Sequence, residues 1–330
     1  MQDLSYLSDR ALRGELAKAM AAYSPPAWLG KVLTHIPNGP NSIRLPWLGG
    51  LSAGMAERTG SGKVDRPGLN YIDMDVVEYE DGIEIPLKFM RRDQVGILTR
   101  EKLLGGLARS NAMHLMKLAF AAIVAGTSTT GYDSQYIFDT DHTDPGAQYT
   151  TNQSNKINQD ISAFPAVKSG STTVPSIEDL VWAISVAIQT MAAFKDDKGE
   201  YVNEDASDFV AFFPHTMWSA ACAASRSNLN GYGASNMLRD FMANENMNVE
   251  IVASPRLSSF TASFVVLRAD APQTPMVALD EALEPEIANK IRRPGNSDEA
   301  SKKESVIYEV RANRVLKFGN WRNGIHVTLT

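Results

Sequence analysis

The sequence predicts an α+β fold, and three observations carry that expectation. Residues 95–126 hold the strongest helical periodicity, residues 71–89 alternate apolar and polar side chains as strands do, and helical and strand patterns interleave from residue 176 onward. No repeat period is visible along the chain.

Taken in order, residues 1–45 read as an arm. Leu12, Leu16, Ala19 and Tyr23 stand at helical spacing, and Pro25-Pro26 ends that stretch because proline cannot continue a helix. IPNGPNS then supplies turn chemistry without a core of its own. Residues 46–90 run through WLGGLSAGMAER into the polar, glycine-rich TGSGKVDRPG. Two alternating runs follow, with Ile72, Met74 and Val76 on one side of the first and Ile83, Ile85, Leu87 and Phe89 in the second. With Glu80-Asp81-Gly82 as the turn between them, they predict a long hairpin that buries little by itself and needs a second layer, expected from a neighbouring subunit.

Thr99 is placed to cap the long helix of 95–126, and Leu103, Leu104, Leu107, Ala112, Leu115, Met116, Ala119 and Ile123 form its apolar stripe. Gly105-Gly106 is its weak spot and the expected place for a bend. Residues 127–175 are rich in Ser, Thr, Asn and Gln and read as a long functional loop. Ser176 with Asp179 makes a capping box for a helix whose face is Ile177, Leu180, Val181, Ile184, Ile188 and Met191. DFVAFFP at 208–214 predicts a buried strand, Thr216 can cap a small-residue helix after it, and 234–244 predicts another helix. NVEIV at 248–252, TASFVVLR at 261–268, and the alternating residues 306–310 and 325–329 predict strands, with a charged excursion at 280–305.

Composition narrows the function. The 330 residues are 44% hydrophobic and 21% charged, enough for one large domain or two modest ones. No apolar run reaches the ~18 residues of a membrane span, and the N-terminus carries acids where a secretory signal needs an apolar stretch, so no membrane association is expected. One cysteine, Cys222, excludes an intrachain disulfide and a multi-cysteine zinc site. A net charge of -6, with even the densest basic groups, at 91–92 and 290–293, only a few residues long, speaks against tight nucleic-acid binding but suits a wall that encloses DNA without sequence-specific contacts.

The chemical motifs are weak. GSGK at 60–63 lacks the earlier glycine of a phosphate loop, since Glu57 stands there, and Val64 replaces the magnesium-binding hydroxyl. Asp139, Asp141, His142 and Asp144 could offer metal ligands, but Thr143 interrupts them and no glutamate closes the site, so a turn with aspartates capping backbone is expected. GTSTTG at 126–131 has the wrong spacing for a nucleophile elbow, and none of the five histidines (His35, His114, His142, His215, His326) belongs to an H-E-x-x-H pair. The sequence therefore predicts no catalytic residues, no cofactor and no bound metal.

WLGGLSAGMAER with the strands after it, YDSQYIFDTDH at 132–142 and WRNGIHVTL at 321–329 resemble the Mu-like major head subunit family, whose fold is the HK97-type capsid fold. The resemblance implies an N-terminal arm at 1–45, an extended E-loop at 46–90, and a P-domain at 91–175 containing the spine helix 95–126. It further implies an A-domain over most of 176–304 and closing P-domain strands at 305–330. Function follows as an expectation: a major capsid protein forming hexamers and pentamers in an icosahedral phage head, built in the bacterial host cytoplasm with scaffolding, portal and possibly decoration proteins. The E-loop would lie over an adjacent subunit, with Arg58, Lys63 and Arg66 as interface residues at its tip. Some shells of this fold cross-link an E-loop lysine to a neighbour's asparagine, and Lys63 could serve, although a plain basic contact is the expectation. The alternatives are an encapsulin-like compartment and a metal-dependent enzyme using Asp139–Asp144.

Overall fold

The computed structural model describes residues 18, 25–48, 69–86, 100–164, 170–227, 235–244, 247–281, 287–292 and 305–330. Two five-stranded sheets organise them. The first is built on β11 (Ser305–Phe318), a fourteen-residue strand. Residues 305–314 of it pair antiparallel with β4 (Val77–Pro86) on one side, and residues 305–310 with β10 (Ile287–Arg292) on the other. Its C-terminal end pairs with β9 (Met276–Glu281), which pairs in parallel with β1 (Leu33–Gly39). Arg314 is registered with Val77 on one flank and Asp280 on the other, so β9 and β10 follow one another along the same edge of β11.

The second sheet has the order β5 (Lys156–Gln159), β12 (Gly324–Leu329), β8 (Ser263–Arg268), β6 (Asp208–Pro214), β7 (Asn248–Ser254). β6 is buried on both faces, as its unbroken apolar run requires. Phe209, Ala211 and Phe213 face α4 (Ile177–Ala192) and α5 (Trp218–Arg226) in one core cluster. Val210 and Phe212 face α1 (Ala27–Val32) and α3 (His114–Ala125) in another. α6 (Met237–Asn244) joins the first cluster through Leu238. The expected capping box opens α4: Ser176 Oγ accepts from the Asp179 N–H at 3.1 Å, and Asp179 Oδ2 accepts from the Ser176 N–H at 2.8 Å.

Three expectations change. Glu80-Asp81-Gly82 is not a turn, because all three lie inside β4, whose ten residues pair with β11. The hairpin is formed instead by β2 (Ser42–Leu48) and β3 (Leu69–Asp75), paired antiparallel across residues 49–68. Its described base has a second layer within the chain, since Ile72 and Met74 pack on Leu279 and Val315. The physical reason is β11: a fourteen-residue partner offers β4 more ladder bonds than a hairpin with β3 could.

IPNGPNS does not lack a core either, since Ile36 packs against the cluster of Ile72, Met74 and Leu279, and the segment before it is buried as well. Trp28, Leu29, Val32 and Leu33 are buried against Phe120 and Phe212, and Lys31 pairs with Asp208 at 3.2 Å and Glu250 at 3.1 Å. The turn chemistry of IPNGPNS is used only at Pro40-Asn41, between β1 and β2.

Finally, the long helix is interrupted at Met113, between α2 (Arg100–Ala112) and α3, and not at Gly105-Gly106. Arg314 reaches the Asn111 carbonyl at 3.3 Å and its side-chain oxygen at 3.0 Å, engaging the acceptor that the Leu115 N–H would take in an unbroken helix. A Cβ at Gly105 or Gly106 would meet nothing within 4 Å. Each alanine substitution there is therefore expected to raise stability by about 0.5–1 kcal/mol, checked by urea unfolding.

Candidate functional site

The segments that carry the family resemblance, 132–142 and 321–329, meet in a buried polar seam between the second sheet and the loop after α3. Loop residues 126–138 fold back by backbone bonds, with the Ile137 N–H on the Thr129 carbonyl at 2.9 Å and the Phe138 N–H on the Gly126 carbonyl at 2.9 Å. That return brings Asp133 and His142 together, both fully buried, with Asp133 Oδ2 2.6 Å from His142 Nδ1.

Asn155 completes the far side of the histidine. Its Nδ2 donates to the carbonyls of Ile137 at 2.7 Å and Trp321 at 3.0 Å, and its Oδ1 accepts from the Asp139 N–H at 2.9 Å. The amide orientation is thereby fixed, and Oδ1 is what His142 Nε2 meets at 3.1 Å. Both ring nitrogens consequently face acceptors. The imidazole lies flat on Trp321, with ring centroids 4.2 Å apart and planes 8° from parallel.

Arg322 ties the seam to the rest of the chain. It donates to the Tyr132 hydroxyl at 2.9 Å, the Lys195 carbonyl at 2.8 Å, and the Asp144 carboxylate. Tyr132 in turn donates to Asp144 Oδ1 at 2.8 Å. Burial opposes the Arg322 charge, but Tyr132 and Asp144 outweigh it and hold the guanidinium above its usual value. Burial pushes the Tyr132 phenol well above the ordinary range. A buried pair of this kind, hydrogen-bonded on every side, fixes which loop packs on which strand.

The aspartates of FDTDHTDPG do not converge. Asp139 accepts from the backbone of Tyr136 and Thr140, at 3.3 and 2.8 Å, as the turn reading expected. His142 turns to Asp133, and Asp144 to Arg322. Among the described residues, no group of three or more His, Cys, Asp or Glu is placed to hold a metal ion. Sequence spacing missed Asp133, Asn155 and Arg322, since Asn155 and Trp321 lie 166 positions apart. The available signal was the polar pair Arg322-Asn323 directly before the closing strand Gly324–Leu329.

His326, within that strand, packs on Phe138 and Phe260. Burial, reinforced by Lys156, lowers its pKa to about 4. Because the folded value lies below the unfolded one of about 6.5, the neutral ring's contribution is complete above pH ~6.5 and is lost as pH falls toward 4. Exchanging His326 for the non-titrating Gln is expected to flatten the stability profile over that window by on the order of 3 kcal/mol, read from urea midpoints at pH 7 and pH 4.

At the surface, the hairpin base carries Arg44 bidentate to Asp73, at 2.6 and 3.0 Å, with Tyr71 half-exposed beside it. Such an exposed pair orients more than it stabilises. The interface residues expected from the sequence, Arg58, Lys63 and Arg66, lie outside the described residues.

Comparison with known proteins agrees with the architecture. The chain aligns with the Mu-like prophage FluMu major head subunit of Haemophilus influenzae at 30% identity over 130 residues, 38% of this chain and 38% of that protein. Its fold is shared with the procapsid protein of bacteriophage JBD30 (TM-score 0.52, 16% identity, 99% of this chain and 76% of that one). It is also shared with the capsid of a native GTA particle (TM-score 0.55, 10% identity, 93% and 91%). The mature capsid of bacteriophage PhiM1 gives a TM-score of 0.54 at 13% identity over 93% of this chain and 88% of that one, so the fold is that of HK97-like phage capsid proteins. Residues 9–177, more than half of the chain, match the family described as Mu-like prophage major head subunit gpT, and the chain belongs to that family.

Proposed function

We propose that this chain is the major capsid protein of a tailed bacteriophage or related prophage, self-assembling into an icosahedral head that encloses DNA. The observation that carries the reading is the pairing of a phage-capsid fold with membership of a head-subunit family. The buried polar groups tie the loop after α3 to the second sheet, which fits a structural role. In this reading the segment 1–45 is an arm, 46–90 an E-loop, 91–175 a P-domain with its spine helix, 176–304 mostly an A-domain, and 305–330 the closing strands. The β2–β3 pair supports the E-loop assignment, because two antiparallel strands flank the segment 49–68 in the chain.

Hexamers and pentamers of the chain form the shell, with scaffolding, portal and decoration proteins as partners during assembly in the host cytoplasm. Electron microscopy of purified protein is expected to show thin-walled closed particles or capsomer rings. Monomers at every concentration and salt, alone and with the products of adjacent genes, would overturn the reading. Arg58, Lys63 and Arg66 are proposed to contact a neighbouring subunit. Reversing all three charges is expected to abolish particles while leaving the circular dichroism of the subunit unchanged, and normal particles would remove these residues from the interface.

A further inference from the structure

The groups around His142 fix how many protons its ring carries. The ring is fully buried, with Asp133 Oδ2 2.6 Å from Nδ1 and Asn155 Oδ1 3.1 Å from Nε2. A neutral imidazole has one N–H and one lone pair, so it satisfies one of these acceptors and repels the other. Turning the Asn155 amide over would offer its NH2 to Nε2, but three contacts block that turn. It would set the NH2 against the Asp139 N–H, which lies 2.9 Å from Oδ1. It would also set Oδ1 against the carbonyls of Ile137 and Trp321, which lie 2.7 and 3.0 Å from Nδ2. Each reversal replaces a buried hydrogen bond by two like groups in contact.

Charge balance requires the same protons. The seam buries the carboxylates of Asp133 and Asp144 and the guanidinium of Arg322, which pairs with Asp144. With a neutral His142, Asp133 stands as a buried charge without an ion-pair partner among the described residues. The titratable neighbours are otherwise engaged. Asp139 accepts from the backbone of Tyr136 and Thr140, and Tyr132 is shared between Asp144 and Arg322. The indole of Trp321, nearly parallel to the imidazole at 4.2 Å, presents the π-face that attracts a cation. Arg322, 4.6 Å from the same indole, is a like charge, but Asp144 neutralises it.

We propose that His142 is a buried imidazolium and that the seam is a proton-operated clasp, closed while both ring nitrogens carry hydrogen. Three stretches of chain meet at this residue: the loop after α3 through Asp133, residues 153–155 through Gln153 and Asn155, and the closing stretch through Trp321. Withdrawing the Nε2 proton sets its lone pair against Asn155 Oδ1, and Asn155 cannot turn away without giving up Ile137, Trp321 and Asp139 together. The direction with pH follows from the proton count. In the unfolded chain an ordinary histidine gives up its proton above about pH 6.5, whereas the closed seam keeps it. Unfolding in alkali therefore releases a proton, so the clasp's contribution is complete below that pH and is lost as pH rises. The sign is opposite to that of His326, whose contribution is lost as pH falls.

Solid-state nitrogen spectroscopy of the sedimented full-length chain, isotopically labelled at histidine, reads the ring directly. At about pH 8, where an ordinary histidine is neutral, the His142 ring is expected to show two proton-bearing nitrogens. Its signal is assigned by its absence from His142→Gln or, should that variant not fold, by through-space transfer to the stacked indole of Trp321 in the unaltered chain. One bare ring nitrogen at position 142 overturns the proposal, including the form in which the extra proton sits on the Asp133 carboxyl. Urea unfolding then reads the clasp. Relative to His142→Gln, the unfolding equilibrium constant of the unaltered chain is expected to rise by up to about tenfold per pH unit above neutrality. Parallel pH profiles for the two chains would show that the proton does not operate the seam.

Discussion

Arg322→Ala is expected to lower the unfolding free energy of the subunit by about 3–5 kcal/mol, the usual loss when one member of a buried ion pair is removed. The guanidinium is 4% exposed and satisfies Tyr132, Asp144 and the Lys195 carbonyl together. Its removal strands the Asp144 carboxylate beside a phenol, without its ion-pair partner among the described residues. Asp144→Ala is expected to be about as costly, because it strands the arginine instead. The double variant Arg322→Met/Asp144→Leu, which leaves neither charge behind, is expected to cost less than either single change. Urea unfolding of isolated subunits, followed by tryptophan fluorescence, measures all three. A loss below ~1 kcal/mol for Arg322→Ala would mean that water reaches the seam.

Phe212→Ala is expected to cost about 3–5 kcal/mol through the cavity it opens. Phe212 is fully buried in β6, edge-on to Trp28 at 5.1 Å and to Phe120 at 6.1 Å. It therefore joins α1 and α3 to the second sheet in one contact. Phe212→Leu retains most of the volume and is expected to cost under about 1.5 kcal/mol. Because α1 has only six residues and relies on burial for its stability, Phe212→Ala should also expose residues 25–32 to limited proteolysis. A cost no greater than that of truncating the half-exposed Trp218 would show that the core does not continue across this face.

These two residues differ in how far they could be read from the sequence. Phe212 was legible, since an apolar run of strand length between polar residues announces a strand buried on both faces. Arg322 was not. An arginine near the chain's end reads as solvated until the fold brings Tyr132 and Asp144 to it from nearly two hundred positions away. The same contrast separates the α4 capping box, legible because its partners are three residues apart, from the helix break at Met113. That break is set by Arg314, and nothing in the helix's own sequence marks it. The glycines that do mark the helix sit within α2 without interrupting it.

The sequence by itself determined the α+β class, the helices at 177–192 and 237–244, the strands around 208–214 and 263–268, and the family. Each of these is written in periods of two or about four residues, or in a contiguous motif. Only the tertiary structure decided which strands pair. β3 and β4 are adjacent and alternate alike, yet β3 joins β2 while β4 joins β11, more than two hundred residues away. Alternation says that a strand will bury one face, but not whose edge satisfies its backbone. That choice goes to the partner offering the longest ladder and the best-packed face, and both are properties of the assembled sheet.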